Sequence, residues 1–318
     1  MRTLFKVVVT PPFPLVASHG SKVVNYKNID AASYDKVAAE FDRLTERFSA
    51  PIATRMIELA HLKPSHCILD VGTGTGLVAL RAARLVAGGR IVGIDHSRRM
   101  IEQARAKARR WGLSGAVSFS LSDAEHLAFA DQSFDVVLSL YALFHFPDPL
   151  RALSEMYRVL RPGGHLIIGV GSGPILLSRT GMQEGAQRLV DLIAAARGRL
   201  LSAPQFLRRV MVQHGINPGE TDGPRITEPG ATRMLRKVGF RGLRRVWQGY
   251  REALNPNDFW RVQVIFPSRE RIRLQDASDQ EIATLKQDFF DRCQRVRAKN
   301  GTLVYRYGAM LYVGIRAS

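Results

Sequence analysis

Short apolar runs alternate with amphipathic segments through the first half of the chain. Two of the intervening segments, residues 98–111 and 149–160, repeat apolar positions at the spacing of an α-helix. Strands that alternate with helices form a parallel sheet through right-handed crossovers, with helices on both faces. The pattern therefore predicts an α/β fold whose first five strands are HCILDVG, RIVGIDH, VSFSLSD, FDVVLSLYA and GHLIIGVG.

Helical patterns precede this core. Asp30 is expected to cap a first helix, and Pro51 begins a second that ends near Leu62. The first helix has an apolar face made of Val37, Phe41, Leu44 and Phe48. Residues 1–62 are therefore interpreted as an N-terminal arm followed by helices that close over a ligand, and residues 63–171 as the core.

Longer insertions follow the core. Residues 172–228 contain amphipathic helices and predict a helical lid. Residues 229–318 are expected to complete the sheet, with a second insertion at about 251–300. The last two strands, which should pair antiparallel at the sheet edge, are RGLRRVWQGYREAL and TLVYRYGAMLYVGIRA.

The segment CILDVGTGTGLVAL places three glycines where a strand gives way to a helix. Gly72, Gly74 and Gly76 allow positive φ and a close approach of a ligand to the backbone. The helix start that follows presents free N–H groups and a positive partial charge. A dinucleotide site would need glycine where Leu77 stands, and no Lys-Ser/Thr pair follows for a phosphate loop. The loop predicts a nucleoside or nucleotide site.

Three carboxylates at the ends of consecutive strands narrow that prediction. Asp70 stands beside the glycines, and Asp95 ends the second strand, 19 residues after Gly76. A carboxylate there can accept hydrogen bonds from both ribose hydroxyls. Asp123 ends the third strand, where its carboxylate and the N–H of Ala124 can read the edge of adenine. Together these residues predict an adenosine site.

Five ordered segments resemble the class I S-adenosylmethionine-dependent methyltransferases, over roughly residues 30–170. They are ILDVGTGTG, VGIDHSRRMIEQAR, SDAEHLAFADQSFDVVLS, YALFHFPDP and EMYRVLRPGGHLII. The resemblance is to the small-molecule branch, methyltransferase type 11, which includes ubiquinone- and menaquinone-biosynthesis enzymes. It implies a Rossmann-like, mostly parallel seven-stranded sheet whose last strand is antiparallel. It also implies S-adenosylmethionine as cofactor and S-adenosylhomocysteine as product.

The same resemblance implies a set of cofactor-binding residues. The loop would wrap the methionine part, Met100 would pack on adenine, Leu140 would offer its backbone, and Tyr34 would close over the cofactor. The whole set is Tyr34, Asp70, Gly72, Thr73, Gly74, Gly76, Asp95, His96, Met100, Asp123, Ala124 and Leu140.

Methyl transfer needs a nucleophile in line with the sulfonium methyl and the exclusion of water, and a base helps when the acceptor is a hydroxyl or an acidic carbon. The candidate base is His145, just past the fourth strand, where the resemblance places the acceptor pocket. Many relatives have two histidines here, and this chain has Phe144 at the first position. Packing of the pocket wall is the alternative role for His145. Other candidate bases are His19, His126, Tyr141, His214 and Tyr250.

Missing motifs restrict the acceptor. The segment after the fourth strand lacks the Asn/Asp-Pro-Pro-Tyr/Phe motif of base-amine methylation, and neither cysteine lies where cytosine carbon-5 methylation needs one. No acidic metal cluster surrounds that strand, so no metal is expected. The expected acceptor is a small organic molecule such as a quinone precursor or a secondary metabolite. Apolar insertion residues that suit it are Ile175, Leu176, Phe206, Met211, Phe259 and Trp260. Packing of the added helices onto the sheet is the alternative role for these residues.

The net charge of +18 supports an alternative. Residues 172–318 carry 25 basic and 13 acidic side chains, which would suit an RNA-modifying methyltransferase. Aromatic residues are not interleaved with these charges as base-stacking platforms would be, and a general preference for arginine explains the same excess. A non-catalytic S-adenosylmethionine-binding protein and an oxidoreductase are further alternatives.

Cysteine usage and hydropathy bear on location. Cys67 and Cys293 are far apart and form no disulfide framework or metal spacing, which suits a reducing cytosol. Lys6 and the pair Pro11-Pro12 interrupt the apolar start, so no signal peptide is expected. No apolar run reaches the roughly 20 residues of a membrane span. We expect a cytoplasmic enzyme, and the resemblance implies a homodimer.

Overall fold

The computed structural model describes residues 20–171, 179–203, 205–217 and 226–317. The predicted arm at 1–19, with His19, and the pair Ile175 and Leu176 lie outside the described residues. Among the described residues, no helix combines the length and the apolarity needed to cross a bilayer.

The five predicted core strands are present. They are β1 (Cys67–Val71), β2 (Arg90–Asp95), β3 (Val117–Leu121), β4 (Phe134–Leu140) and β5 (Leu160–Val170). They pair in parallel in the order β3-β2-β1-β4-β5. The order reverses direction at β1 and β4, so a crevice opens beyond the carboxyl ends of these two strands.

Three further strands extend the sheet to eight. The long strand β8 (Thr302–Arg316) pairs antiparallel with β5, and β7 (Phe240–Leu254) pairs antiparallel with the other edge of β8. The predicted antiparallel end of the sheet is therefore confirmed. The short strand β6 (Leu200–Ala203) lies within the region predicted to be a helical lid and pairs in parallel with the start of β8. Its four residues are too few to show a strand period in the sequence.

Helices cover both faces of the sheet. One face is packed by α3 (Ala50–Ala60), α4 (Leu77–Ala82) and α5 (Arg98–Arg110). The other is packed by α6 (Pro149–Val159) and α9 (Glu228–Val238). The apolar positions at helical spacing are the buried ones, such as Ile101 and Ala104 in α5 and Leu153 and Met156 in α6, so these helices form where the sequence predicts.

The N-terminal helices differ from the prediction at one residue. Helix α1 spans Gly20–Asp35 and is followed by α2 (Ala38–Leu44) and a π-helical turn (Thr45–Ser49) that leads into α3. Asp30 therefore lies inside a helix, and its assignment as a cap is wrong. Its carboxylate is buried and bonded to groups far along the chain, so a local capping pattern could not reveal its role.

Both insertions contribute residues to a third core beside the sheet. Helices α7 (Arg179–Ala196) and α8 (Gln205–Gln213) belong to the first insertion. Helices α10 (Pro256–Ile265), α11 (Ser268–Gln275) and α12 (Asp279–Ala298) belong to the second. Four residues expected to suit an acceptor pack in this core instead, because burying them holds the added helices together: Phe206, Met211, Phe259 and Trp260.

Both cysteines are free, and they differ in burial. Cys293 is 0% exposed in this third core, and burial raises the pKa of its thiol to about 12. At pH 8 only about one thiol in ten thousand would be ionised. We therefore expect a disulfide-exchange reagent to modify at most the half-buried Cys67 in the native protein and both thiols in urea. Rapid native modification of two thiols would contradict the packing of α12.

Candidate functional site

The glycine loop follows β1 and turns at three positive φ angles. The φ values are +70° at Gly72, +54° at Gly74 and +82° at Gly76. A Cβ on Gly72 would overlap the Cβ of Ala142, whereas a Cβ on Gly74 would meet nothing closer than Phe41 at 3.7 Å. Gly74 therefore leaves open space above the backbone, and Gly72 lets the loop pass close to the segment after β4.

Gly76 has a structural role in this geometry. It precedes α4, and a Cβ there would lie 3.0–3.3 Å from Phe119, Leu80 and Ala104. It faces the core and does not line the cavity described below. A sequence pattern of three alternating glycines could not separate this packing role from ligand binding.

Asp70 holds the glycine loop in place through two hydrogen bonds. Its Oδ2 accepts hydrogen bonds from Thr73 Oγ1 (2.6 Å) and from the backbone N–H of Ala79 (3.1 Å). The carboxyl is 1% exposed. Burial raises the pKa of Asp70 to about 6, although the two hydrogen bonds act to lower it. Asp70 therefore holds the loop against α4 at a cost in charge desolvation.

This elevated pKa makes a testable prediction for the ligand-free protein. Because the pKa of Asp70 is higher in the folded state than in the unfolded state, Asp70 is protonated in the folded state and ionised in the unfolded state between pH 4 and pH 6. Protonation therefore favours folding at low pH, and this stabilisation is lost as the pH rises from 4 to 6. The free energy of unfolding of the wild type, relative to Asp70→Asn, should fall by about 2–3 kcal/mol across that window. Urea unfolding at several pH values measures it. A pH-independent difference would contradict the burial of an ionisable Asp70.

Asp95 stands opposite the loop at the end of β2. Its Oδ2 accepts from the backbone N–H of Gly74 (2.9 Å) and its Oδ1 from that of Ser97 (2.9 Å). Each oxygen keeps a lone pair for a further donor. His96 and Met100 line the same cavity, and the Met100 side chain is 3% exposed. The predicted ribose and adenine contacts are thus brought together beside the loop.

Asp123 has a partner that the sequence did not reveal. Lys27 of α1 forms an ion pair with its Oδ1, and the backbone N–H of Glu125 donates to the same oxygen at 2.8 Å. Burial acts to raise the pKa of Asp123, but the hydrogen bonds from Lys27 and Glu125 and the nearby positive charges together outweigh it, and the pKa lies below its usual value. Ser122 and Ala124 line the cavity on either side, whereas Asp123 does not.

A buried histidine–aspartate pair lines the same cavity as the glycine loop. His145 follows β4, and its Nδ1–H donates to Asp30 Oδ2 of α1 at 2.6 Å. Burial acts to raise the pKa of Asp30, but the charge and hydrogen bond of His145 and the charge of Arg271 outweigh it, so the pKa lies below its ordinary value. Asp30 is therefore a carboxylate at neutral pH. When the imidazole is neutral, the hydrogen bond from Nδ1 fixes the tautomer that leaves Nε2 unprotonated, 3.4 Å from the hydroxyl of Tyr34.

Arg271 of α11 supports the His145–Asp30 pair by contacting the other carboxylate oxygen of Asp30. It is 2% exposed and donates to Asp30 Oδ1 at 3.3 Å and to Ser33 Oγ at 3.0 Å. Its remaining donors bond Ile265 O at 2.5 Å and Ser268 Oγ at 3.2 Å. Its guanidinium lies 3.7 Å from the ring centroid of Tyr34, a stacked cation–π arrangement. The second insertion thus fixes the N-terminal helix over the site.

Most of these groups face one cavity of about 910 Å³. Of the predicted site residues, the cavity lining excludes Gly76 and Asp123 and includes Tyr34, Asp70, Gly72, Thr73, Gly74, Asp95, His96, Met100, Ala124, Leu140 and His145. Ten of the other lining residues are aromatic. Six aromatic rings of the lining form a continuous series in which the centroids of successive rings lie 5.1–6.2 Å apart. We call this series the aromatic wall: Tyr34, Phe41, Phe266, Tyr305, Tyr307 and Tyr250.

Several of these residues were missed by sequence reasoning. Tyr305 and Tyr307 stand two apart on β8, a spacing that places both on one face of a strand, and this signal was available. Asp30 and Arg271 lie 241 positions apart, and no local pattern connects them. His126 and His214, the other histidine candidates in the described part of the chain, do not line the cavity. Within the described ranges, no three His, Cys, Asp or Glu side chains form a cluster that could hold a metal ion.

Sequence comparisons with known proteins find methyltransferases. Residues 69–168 match the family described as a methyltransferase domain. The methyltransferase GfsG of Streptomyces halstedii is 40% identical over 139 residues, which cover 44% of this chain and 47% of that relative. The demethylmenaquinone methyltransferase of Bacteroides fragilis is 37% identical over 139 residues, which cover 42% and 57%. The chain thus spans about half the length of the curated relatives it matches.

A solved structure extends the likeness beyond this segment. The YcgJ protein from Bacillus subtilis superposes with a TM-score of 0.53 at 23% identity, over 84% of this chain and 98% of that one. At this level of identity the likeness concerns the fold.

Proposed function

We propose, from the premise that residues 69–168 form a class I S-adenosylmethionine-dependent methyltransferase domain, that the chain methylates a small apolar acceptor. One observation carries the proposal. The glycine loop with Asp95 and the His145–Asp30 pair line the same cavity. A nucleoside-binding surface and a base therefore share a space large enough for a second molecule.

The residues of the loop fit S-adenosylmethionine. Gly74 leaves backbone open where a Cβ would project, and the Oγ1 of Thr75 is buried without a hydrogen-bond partner among the described residues. Gly72 to Gly74 would hold the methionine part, Asp95 the ribose, and Met100 with Ala124 the adenine. When bound there, the cofactor supplies a methyl group that is already electrophilic on its sulfonium. The protein's task is then to position the acceptor and to exclude water.

The aromatic wall favours an apolar acceptor. Flat side chains at 5–6 Å spacing bind planar or hydrophobic molecules by dispersion and quadrupole contacts. Burial raises the pKa of Tyr307 to about 12 and that of Tyr305 still further. Their hydroxyls are therefore neutral and can donate hydrogen bonds to an oxygen of the acceptor. We infer an acceptor with an apolar body and an ionisable hydroxyl or acidic carbon.

His145 would act as the base for that acceptor. With the cofactor bound, Nε2 of the neutral imidazole would take the acceptor proton as the acceptor atom bonds to the methyl carbon and the bond from that carbon to sulfur breaks, which leaves S-adenosylhomocysteine. Asp30 then stabilises the imidazolium that forms, because its carboxylate already accepts from Nδ1. Arg271 and Tyr34 keep both groups in place. Helices α1 and α11 supply this support and cover the site from water.

Transfer of radiolabelled methyl groups tests the proposal. The purified protein would be incubated with methyl-labelled S-adenosylmethionine and either an organic-solvent extract or total RNA from the source cells. We expect label in the organic-extractable fraction and a strong loss of that label with His145→Ala. Label confined to RNA would replace this proposal with the RNA-modifying alternative. The absence of transfer to either fraction would favour a non-catalytic S-adenosylmethionine-binding protein.

A further inference from the structure

Helix α7 is amphipathic, but its apolar side faces outward and its acidic side faces the protein. Large apolar side chains on this helix are exposed at 46–66%: Met182, Leu189, Val190, Leu192 and Ile193. At about 100° per residue, Met182, Leu189 and Ile193 fall within about 40° of one another on the helix surface. They form the centre of an outward apolar face, which we call the α7 face.

The carboxylates of α7 lie on the opposite side, against the protein. Asp191 is buried and bonds Arg306 and Arg251, the latter with an N–O distance of 3.1 Å. Glu184 lies 3.4 Å from Arg306. These ion pairs fix α7 to β7 and β8, so they hold the apolar residues outward. The apolar side chains of α7 are therefore exposed because the ion pairs on its opposite side hold the helix in this orientation.

Exposed charges beside the α7 face are basic. Arg188 is on the helix itself, and Arg197 and Arg199 follow its end; all three are exposed. No ion pair joins any of them to a carboxylate of the described residues. The chain as a whole carries a formal charge of +18. An apolar helix face edged with arginine and free of outward acids matches the requirements of an interfacial helix at an anionic lipid surface.

We propose that the α7 face docks the protein on an anionic membrane surface. A second copy of this chain is a poorer occupant, since a symmetric contact would bring the two sets of arginines of two strongly cationic molecules together. The same helix lines the cavity through Glu184 and Arg188. If the proposed function is right, an apolar acceptor dissolved in the bilayer would reach the aromatic wall beside this helix. The docking itself does not depend on methyl transfer.

Vesicle flotation tests the docking. The full chain would be mixed with vesicles of phosphatidylcholine alone and of phosphatidylcholine with phosphatidylglycerol at about 7:3. We expect flotation with the anionic vesicles, which about 0.5 M salt should weaken but not abolish, because the apolar contact is not screened. Leu189→Ser/Leu192→Ser/Ile193→Ser should lower the bound fraction at least about tenfold. A matched control, Leu85→Ser/Leu121→Ser, changes two residues exposed at 55% and 49% elsewhere and should float like the wild type.

Charge variants and a binding control complete the test. Arg197→Gln/Arg199→Gln, which changes two arginines outside the cavity lining, should weaken the preference for anionic vesicles. All variants should keep the wild-type affinity for S-adenosylhomocysteine, so a failure of docking is distinguishable from a failure of the proposed function. Wild-type protein that floats with neither vesicle, or a triple serine variant that floats like the wild type, would overturn the proposal. A wild-type dimer that the serine variant converts to monomer would assign the face to self-association instead.

Discussion

Replacing His145 with alanine is expected to lower methyl transfer by about 10²–10⁴-fold, the usual contribution of a positioned general base. The affinity for S-adenosylhomocysteine should stay within about twofold, because the proposal assigns those contacts to the glycine loop and Asp95 and not to His145. Initial rates with the labelled acceptor fraction and calorimetry with S-adenosylhomocysteine measure the two quantities. His214→Ala is the matched control, since His214 also pairs with a carboxylate, Asp288 at 2.9 Å, but lies away from the cavity.

The substitution Asp30→Asn tests whether the charge of Asp30 supports His145 as a base or whether Asp30 only fills space. Asparagine keeps the shape of the side chain but cannot stabilise a charged imidazole, so we expect turnover to fall about 10–100-fold. The loss should appear in kcat more than in KM, because Asp30 contacts His145 and Arg271 and acts on the acceptor only through the base. Full turnover in either the Asp30 or the His145 variant would show that the acceptor is methylated without this base, and His145 would then be a wall residue.

Replacing Gly72 with alanine is the second large expected effect. The new Cβ would overlap Ala142, and the φ of +70° is strained for any residue with a Cβ. The loop must shift to relieve the overlap, which displaces the Gly74 N–H from Asp95. We expect binding of S-adenosylhomocysteine to weaken by about 100-fold or more, an amount that corresponds to about 3 kcal/mol.

Gly112→Ala provides a control with nearly the same backbone strain. Gly112 has a φ of +68°, but a Cβ there would meet nothing within 4 Å. Both variants should lose about 1–2 kcal/mol of unfolding free energy through backbone strain, and only Gly72→Ala should lose ligand affinity. Calorimetry and urea unfolding on both proteins measure the difference. Equal affinities in the two variants would show that the close approach of the loop to Ala142 is unimportant for binding.

Residues at strand ends were predictable because their positions follow from the sheet alone. In a parallel sheet the carboxyl ends of adjacent strands meet at one edge, so Asp70, Asp95 and Leu140 converge whatever the surrounding loops do. The apolar periods likewise placed α5 and α6. The predicted fold class is confirmed, and residues 69–168 match the family described as a methyltransferase domain.

Residues that act across the insertions were not predictable in the same way. Asp30 has the local pattern of a helix cap, and only the docking of α11 shows that its carboxylate serves Arg271 and His145. Lys27 reaches Asp123 from another helix for the same reason. Phe206 and Phe259 were expected in an acceptor pocket, but apolar composition alone cannot distinguish a pocket wall from the core of an added helical layer.

Calorimetric titration of ligand-stripped protein with S-adenosylhomocysteine tests the central claim most directly, with Asp95→Ala in parallel. The claim is that the glycine loop and Asp95 form one binding surface for the adenosyl group. It predicts micromolar or tighter binding with about one ligand per chain for the wild type, and at least about tenfold weaker binding for Asp95→Ala. Folded wild-type protein that releases no heat, or a variant that binds as tightly as the wild type, would contradict it.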